Sequence, residues 1–441
     1  MRRFFALIVV VVLMLIALSS PAVITFPKAR TTLAFGFMLL AAYLSGDALA
    51  HLKMPKITGY ILAGIIFGPY VLNFVSRDTV TDLKLIDDLA LTFIALAAGG
   101  ELRLKDLKAR QKSIILTVLF LSGIVFLGVS TFVFFARPLM PFLEGKSLVN
   151  VIAVAAIVGT FAVARSPSSA IAIISETKAR GPFTEMVLGV TVLMDVGVIA
   201  FFAIVVSLCQ AAVSGAGMDF RLIFTMILEI AISIAAGVLL GVLMGQYIKR
   251  VKAELMVFIL GVAFLTTFGS KQLAIYLHDS HGIAFHLHSM LICITAGFLV
   301  QNFSPNGELF MEKVDHSSLP IYVIFFALVG ADLNISALEA TWLIALLIVG
   351  ARISLIWTGA YLGGRLSGDP RVMCHWSGPS FITQAGVSLG LAGIVKARFP
   401  DWGTAVSTMI VAVITLNQVI GPVTFKLALN AVGETRDSRS R

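Results

Sequence analysis

Charged side chains are scarce in this chain: Asp, Glu, Lys and Arg together make up 13% of its 441 residues. A soluble domain carries about 25% charged residues, because its surface must be covered with polar groups. The hydrophobic residues reach 58% even when glycine is left out. These values exclude a soluble globular protein and predict a multi-pass membrane protein, since about 20 apolar residues cross the hydrocarbon layer once.

Cysteine is also rare, and the three cysteines, Cys209, Cys293 and Cys374, are scattered without metal-ligand spacing. This distribution predicts neither a disulfide framework nor a resident metal. The sequence has no Walker A loop and no Gly-rich dinucleotide fingerprint, which argues against ATP-driven transport and nucleotide cofactors. We therefore expect no cofactor and no enzymatic activity, and we expect ion gradients to supply the energy for transport.

The formal charge of +9 does not indicate a nucleic-acid partner, because the sequence has no long basic run and no basic–aromatic stripe. Basic cytoplasmic loops explain the excess: with the N-terminus inside, about 20 Lys and Arg fall in inside loops and about 10 in outside loops. We expect an integral protein of a bacterial-type inner or plasma membrane. Both termini are then cytoplasmic if the first helix is retained.

Apolar stretches between charged or Pro/Gly-rich segments predict an all-α chain of about fourteen transmembrane helices. Residues 1–31 form an extra N-terminal helix or a signal-like segment, because residues 19–22 also fit a cleavage site. Residues 32–428 form the membrane domain, and residues 429–441 form a short cytoplasmic tail. The predicted spans are 4–24, 32–51, 57–75, 85–100, 114–136, 148–174, 184–211, 222–247, 254–270, 284–301, 318–332, 339–364, 376–396 and 404–428.

Two halves of the membrane domain are related by inverted topology. Five spans in residues 57–211 begin at an inside loop, and five in residues 284–428 begin at an outside loop. In each half the fourth span is interrupted near mid-membrane by polar or helix-breaking residues. These are Ser166, Pro167 and Ser168 in the first half, and Gln384 and Gly386 in the second. Paired helix interruptions in inverted halves indicate a transporter binding site near the bilayer midplane.

Asp195 lies deep inside an apolar span, where an ionisable residue costs about 2.5–3.5 kcal/mol on insertion scales and therefore needs a reason. Burial favours the protonated carboxyl group, and a carboxylate oxygen is a hard ligand for a small cation. A single group that binds either a proton or a cation, but not both, is sufficient for the exchange of a cation for a proton. We predict that Asp195 binds the ion with Ser166 and Thr191; a structural ion pair with a neighbouring arginine is the alternative.

Two arginines, Arg165 and Arg352, also lie at membrane depth. Arginine stays protonated in proteins, so neither can carry the transported proton. We expect both to tune the charge of the site or to offset the dipoles of the interrupted helices. Glu229 is deeply placed without an evident reason, and the histidines between residues 278 and 288 fit a solvated loop better than a pH sensor or a metal site.

Several segments resemble the cation:proton antiporter-2 family. Residues 54–69 (MPKITGYILAGIIFGP) look like its opening signature, and residues 91–102 (LTFIALAAGGEL) are similar to its next element. Residues 325–330 (FFALVG) and the stretch 159–195 also match. The resemblance covers roughly residues 32–428 and implies an inverted-repeat antiporter fold with two discontinuous crossing helices.

The resemblance implies a homodimer with a core domain, a dimerisation domain and elevator-like alternating access, which exchanges Na⁺ or K⁺ for protons. The family's ion-binding aspartate falls on Asp195, its polar residues at the first interruption fall on Arg165 and Ser166, and its second-repeat basic residue falls on Arg352. Met194 stands where electrogenic members carry a second acid. One acid and an arginine favour one-for-one electroneutral exchange.

Arg165 replaces a small polar residue of the family, and an acidic residue often found at the second interruption is missing. These departures leave other functions open. Two arginines against one acid fit an anion-coupled transporter, and a salt bridge that locks Asp195 fits a transport-inactive sensor or scaffold. An intramembrane aspartyl protease is the poorest fit, because no second deep aspartate faces Asp195. Selectivity between Na⁺ and K⁺ does not follow from the sequence.

Overall fold

The computed structural model of the chain describes residues 2–18, 27–215, 219–251, 254–281, 285–384 and 387–435. Every regular element in these ranges is a helix, which confirms the all-α prediction. The α-helices are α1 (Arg2–Leu18), α2 (Pro27–His51), α3 (Lys56–Phe67), α4 (Arg77–Asp82), α5 (Lys84–Glu101), α6 (Leu104–Phe135), α7 (Leu148–Val163), α8 (Pro167–Thr177), α9 (Pro182–Ser214), α10 (Phe220–Arg250), α11 (Leu255–His281), α12 (Ser289–Phe303), α13 (Gly307–Asp332), α14 (Ile335–Ser367), α15 (Arg371–Ser380), α16 (Val387–Arg398) and α17 (Gly403–Ala431).

Nine segments in the described ranges are long and apolar enough to cross a membrane, and three shorter apolar helices accompany them. Each of the fourteen predicted spans overlaps one of the helices or a pair of them. Several helices extend past the predicted spans by one to three turns, because their ends carry charged residues. The stretch 19–22, which fits a cleavage site, lies outside the described residues, as does Gly386.

The chain divides into two compact units. The first comprises residues 1–101, 237–272 and 292–333. Within it, α3 and α13 cross in direct backbone contact. A Cβ atom at Gly64 would clash with the carbonyl oxygen of Ala327, and one at Gly330 would clash with the carbonyl oxygen of Ile61. Small residues allow such close approach between membrane helices, so the signature segments 54–69 and 325–330 form the two sides of one helix contact.

A second crossing of the same kind joins α5 and α12 in this unit. A Cβ atom at Gly99 would clash with the carbonyl oxygen of Ile294, and one at Gly297 would clash with that of Leu96. Gly99 belongs to the signature segment 91–102. These signature glycines are therefore explained by packing within the unit, because any larger side chain would force the helices apart.

The second unit comprises residues 102–236, 273–291 and 334–441. In it, α6 packs along α14, α7 and α9, and α14 also packs on α15 and α17. Gly359 and Gly363 of α14 lie against the backbone of Leu121 and Thr117 in α6. This unit contains both interrupted helices, the buried aspartate of α9 and the two buried arginines, which places all the predicted site residues of the described chain in one compact body.

The interruption between α7 and α8 follows from the local sequence. Proline has no backbone N–H and is tolerated in the first turn of a helix, and it drives the preceding residue to extended geometry. Pro167 begins α8, and Ser166 before it is extended, with φ −109° and ψ 103°. Ala164, with φ −61° and ψ 144°, has already ended α7. In the second half, α15 ends one residue after Pro379, and residues 381–384 are not helical.

Candidate functional site

The first interruption ends in a serine cap. The Ser166 hydroxyl accepts a hydrogen bond from the backbone N–H of Ser169 at 3.3 Å and donates to the Ser169 hydroxyl at 3.0 Å. It also lies 3.2 Å from the Ser168 hydroxyl. All three serines are buried. A serine oxygen at this position satisfies one of the orphan donors of the helix start, so the cluster positions three hydroxyl groups at the N-terminus of α8.

The second interruption reaches the first through Gln384. Its amide nitrogen donates to the carbonyl oxygen of Phe161 at 2.6 Å, and its amide oxygen accepts from the side chain of Asn417 at 3.1 Å. Phe161 lies in the last turn of α7, and its carbonyl oxygen also accepts a hydrogen bond from the backbone N–H of Ala164 at 3.1 Å. The amide of Gln384 therefore stabilises the end of the first interrupted helix from the middle of the second. Gly386, predicted as part of this interruption, lies outside the described residues.

Arg352 of α14 binds both interruptions. Its Nε donates to the carbonyl oxygen of Ala162 at 3.0 Å, its Nη2 to that of Ala164 at 3.1 Å, and its Nη1 to that of Ile382 at 2.8 Å. The side chain is fully buried. A cation at the C-terminal end of a helix offsets the partial negative charge of the helix dipole, so Arg352 both stabilises the end of α7 and fixes the distance between the two breaks.

Arg165 shares two of these oxygens. Its Nη1 donates to the carbonyl oxygens of Ala162 and Ala164, both at 2.8 Å, and the side chain is 1% exposed. Its Nε and Nη2 have no hydrogen-bond partner in the described chain. The two guanidinium groups, Arg165 and Arg352, therefore lie on the same backbone oxygens, where they repel each other electrostatically.

Asp195 lies on α9 and is 6% exposed. The structure records no hydrogen bond or ion pair to its carboxylate from any residue that it describes. Val198 and Ile199, which follow on the same helix face at i+3 and i+4, pack against Ala164 in the first interruption. The carboxylate thus lies one helical turn from residues that contact the break, and the alternative of an ion pair with Arg165 is not formed.

Thr191 lies one turn before Asp195 and is buried. Its hydroxyl donates to the carbonyl oxygen of Val187 at 2.7 Å. Since a hydroxyl oxygen keeps two lone pairs after donating its proton, Thr191 can still offer an oxygen ligand. Residues at i and i+4 share a helix face, which aligns Thr191 with Asp195.

Asn417 and Gln418 of α17 belong to the same buried region and were not anticipated from the sequence. Both are almost completely buried, and the Asn417 oxygen and both polar atoms of Gln418 have no hydrogen-bond partner among the described residues. Pro422 lacks the N–H that would bond the carbonyl of Gln418. The available signal was two consecutive amides in an otherwise apolar span, the second of them four residues before a proline.

Glu434, which follows α17, has a structural role that sequence reasoning missed. Its carboxylate accepts hydrogen bonds from the backbone N–H groups of Phe183 and Thr184, both at 2.8 Å, and from the Thr184 hydroxyl at 2.7 Å. A carboxylate at a helix N-terminus satisfies orphan donors and complements the dipole. Glu434 therefore caps α9, the helix that carries Asp195.

The buried Glu229 of α10 has a structural partner. It accepts a hydrogen bond from the backbone N–H of His286 at 2.6 Å, and the imidazole of His288 lies 3.7 Å from it. Ser233, one turn further, accepts from the backbone N–H of His288 at 3.0 Å. Across the described ranges no group of three or more His, Cys, Asp or Glu is arranged to hold a metal. Glu229 thus serves to fix the segment that leads into α12.

Comparison with solved structures identifies the fold. The sodium proton antiporter MjNhaP1 from Methanocaldococcus jannaschii, solved at pH 8, superposes with a TM-score of 0.66 over 92% of this chain and 97% of that one, at 18% identity. An electron-microscopy map of the same protein gives a TM-score of 0.64 over 90% and 94% of the two chains. The chain therefore has the fold of this antiporter.

A curated relative aligns over a short stretch. The iron transporter MagA from Paramagnetospirillum magneticum (strain ATCC 700264 / AMB-1) is 39% identical over 88 residues, which is 20% of this chain and 20% of MagA. The alignment thus spans a fifth of that relative. The family model described as sodium/hydrogen exchanger, transmembrane, matches residues 35–431. This match takes in both interrupted helices, both buried arginines and Asp195, and the chain is accordingly an integral multi-pass membrane protein of the transmembrane sodium/hydrogen exchanger family.

Proposed function

We propose that this protein is a secondary active transporter that exchanges a monovalent cation, Na⁺ or K⁺, for protons by alternating access at Asp195. Membership of the exchanger family supports the exchange of a cation for a proton. The observation that carries the assignment to Asp195 is a buried carboxylate, beside a helix interruption, to which no described residue donates a hydrogen bond.

The chemistry follows from that lack of partners. A buried ionised carboxylate without a partner is strongly disfavoured, so Asp195 is driven to bind either a proton or a cation. Thr191 lies on the same face, and the Ser166 hydroxyl stands at the neighbouring break; both offer neutral oxygen ligands. The carboxylate cannot hold a proton and a cation at the same time. If it binds the cation on one side of the membrane and the proton on the other, each conformational cycle exchanges one for the other.

Electroneutral exchange is the favoured stoichiometry. Asp195 provides a single titrating acid, and Met194 beside it cannot titrate. Arg165 and Arg352 keep their charge throughout the cycle. They cap the backbone oxygens at the end of α7, so their part is to tune the local field and to hold the break open. One proton then leaves for each monovalent cation bound.

The assembly and orientation form part of the same proposal. We assign the protein to a bacterial-type inner or plasma membrane as a homodimer, with both termini cytoplasmic when the first helix is retained. The excess of basic residues in the alternate loops supports that orientation. Protease protection of a tag placed after residue 435, in right-side-out vesicles, tests it directly.

Proteoliposomes with an imposed pH gradient test the function. Addition of Na⁺, K⁺ or Li⁺ should dissipate the gradient in wild type, and the rate should not respond to an imposed membrane potential. Iron(II) belongs in the panel because one relative is named an iron transporter. Asp195→Asn should reduce the rate to background, and Asp279→Asn, in an exposed pair with His278, should keep it. Exchange that persists in Asp195→Asn contradicts the proposal.

Anion-coupled transport is the second candidate, because two buried guanidinium groups, Arg165 and Arg352, face no carboxylate within ion-pair distance in the described chain. It predicts that replacing Na⁺ and K⁺ by a large inert cation leaves the flux unchanged. A transport-inactive sensor or scaffold predicts no flux under any gradient and full tolerance of Asp195→Ala. The same proteoliposome assay separates all three.

A further inference from the structure

A pocket lies in the connection between α6 and α7, at the opposite end of α7 from the first interruption. It has a volume of about 550 Å³ and is open on one side. Two short 3₁₀ turns, Arg137–Leu139 and Pro141–Leu143, shape it. Sites for small ligands commonly have volumes of about 300–1,000 Å³, so the pocket has the size of a small polar molecule or of a lipid headgroup.

The length of α6 places this pocket at the level of the lipid headgroups. The charged first turns of the helix end at Lys112, and 23 apolar or weakly polar residues follow up to Phe135. At about 1.5 Å per residue these cover about 35 Å, slightly more than the thickness of the hydrocarbon layer. Arg137 therefore emerges where the hydrocarbon ends, whichever way the protein is oriented in the membrane.

The charges that line the pocket are mixed. Arg137 and Lys146 provide two cations, and Glu144 provides a carboxylate between them in sequence. The guanidinium of Arg137 stacks over the ring of Phe134 at 5.4 Å, and Lys146 lies 3.4 Å from Asp401. Cations attract a phosphate, whereas an exposed carboxylate in the same pocket would repel a purely anionic headgroup and attract an ammonium group.

Exposed apolar side chains occur in and next to the segment that forms the pocket: Leu148 lines it, and Phe135 and Leu139 are close in sequence to lining residues. Phe135 is 74% exposed, Leu139 is 50% exposed and Leu148 is 56% exposed. Met140 and Leu143, which also line the pocket, are buried beneath the turns. A polar pocket in a segment with exposed apolar side chains at a membrane interface suits an amphiphile, whose chains can lie along α6 and α7 while its headgroup enters the pocket.

We propose that this pocket binds a phospholipid whose headgroup carries both a phosphate and a primary ammonium group, as in phosphatidylethanolamine. The phosphate lies against Arg137 and Lys146, and the ammonium group donates hydrogen bonds to Glu144. A primary ammonium has three N–H donors, and a trimethylated headgroup has none. The pocket therefore distinguishes phosphatidylethanolamine from phosphatidylcholine. This lipid site is independent of the cation exchange proposed for Asp195.

Lipid titration of the purified full-length protein tests the proposal. The protein in lauryl maltoside receives phosphatidylethanolamine, phosphatidylcholine or phosphatidylglycerol with identical acyl chains, or inorganic phosphate, and bound lipids are counted by native mass spectrometry. Wild type should bind phosphatidylethanolamine about tenfold more tightly than phosphatidylcholine, the difference of one charge-assisted hydrogen bond. Inorganic phosphate should neither bind at this pocket nor compete.

Three variants identify the pocket. Glu144→Gln should bring the affinities for phosphatidylethanolamine and phosphatidylcholine to within about twofold. Arg137→Gln should weaken both lipids. Lys108→Gln, an exposed position near the other end of α6, should leave both affinities at the wild-type value. Since these residues lie on the surface, the melting temperature of each variant without lipid verifies that it is folded.

Three results would contradict the proposed lipid site. An unchanged preference for phosphatidylethanolamine in Glu144→Gln overturns the assignment of the ammonium partner. Tightest binding of phosphatidylglycerol overturns the zwitterionic ligand in favour of an anionic one. Equal binding of all three lipids by wild type shows an ordinary lipid annulus and no built pocket. None of these results depends on transport, so the exchange assay fails or succeeds separately.

Discussion

The amide nitrogen of Gln384 lies 2.6 Å from the carbonyl oxygen of Phe161, although 223 residues separate them in the chain. This hydrogen bond joins the second helix interruption to the last turn of the helix before the first. The Phe161 oxygen also accepts from the backbone N–H of Ala164 at 3.1 Å, so loss of the Gln384 bond removes one of its two donors, at a cost of about 0.5–1.5 kcal/mol. This hydrogen bond therefore links the two interruptions, and it is lost if one of them moves without the other.

Gln384→Leu tests that coupling. The substitution removes the donor to Phe161 and the acceptor for Asn417. We expect a lower melting temperature, corresponding to about 1–3 kcal/mol, and slower exchange. Gln272→Leu, at an exposed position, should change neither. A variant with wild-type melting temperature and wild-type flux would show that the bond does not hold the interruptions together.

Glu434→Ala should destabilise the helix that carries Asp195. The substitution removes three hydrogen bonds to the first turn of α9, and the loss of an N-terminal cap costs about 0.5–2 kcal/mol. Glu434→Gln keeps one carbonyl acceptor and should lose less. Thermal unfolding in detergent measures both, with the exposed Glu312→Ala as the control. Equal stability of Glu434→Ala and wild type would contradict the cap.

Acid should weaken the connection between Asp219 and Arg398. The hydrogen bond from the Arg398 guanidinium, together with that from the Leu222 backbone N–H, lowers the pKa of Asp219 below its ordinary value. A depressed folded-state pKa contributes stability above the unfolded-state value of about 3.9, and this contribution is lost as the pH falls through the folded-state value.

The test is the melting temperature of Asp219→Asn between about pH 6 and about pH 3. We expect this variant to be less stable than wild type at the higher pH and to approach it at the lower. Asp279→Asn serves as the charge-matched control. If the difference between Asp219→Asn and wild type stays constant or grows on acidification, the ion pair with Arg398 does not have the assigned role.

Gly330→Leu should prevent the close crossing of α3 and α13. The new side chain would have to occupy the space of the Ile61 carbonyl group, and overpacking costs about 1–3 kcal/mol or more when the obstacle is backbone. We expect reduced yield and a lower melting temperature, with Gly330→Ala intermediate. A Cβ atom at Gly36 meets nothing within 4 Å, so Gly36→Ala is the matched control. Tolerance of leucine at residue 330 would contradict the crossing.

The order of the helices could be predicted from the sequence because hydropathy identifies the segments that are apolar enough to cross the hydrocarbon layer. Their ends could not. The span predicted at 114–136 corresponds to α6, which begins at Leu104, and the one predicted at 318–332 corresponds to α13, which begins at Gly307. In both cases the additional turns carry charged residues. A helix can continue beyond the hydrocarbon layer with the same backbone hydrogen bonds, but its residues there are polar, so hydropathy does not detect these turns.

Some residues of the candidate site could likewise be predicted from the sequence, and others could not. Pro167 and the buried charge of Asp195 are local signals, because a missing donor or an acid in hydrocarbon is visible in a short window. The contacts of Gln384 with Phe161 and of Glu434 with Phe183 join residues more than 200 positions apart. The role of Asn417 likewise depends on its hydrogen bond to Gln384, and no local pattern in the sequence reveals that contact.

Arg352 has one more consequence, for the way in which this molecule can move. Its guanidinium donates three hydrogen bonds to carbonyl oxygens, two at the first break and one at the second. Separating the two breaks would remove its hydrogen bond to the carbonyl oxygen of Ile382, and a lost bond to a charged group costs about 1.5–3 kcal/mol. We therefore expect a conformational change of this protein to move the end of α7 and residues 381–384 together as one rigid body.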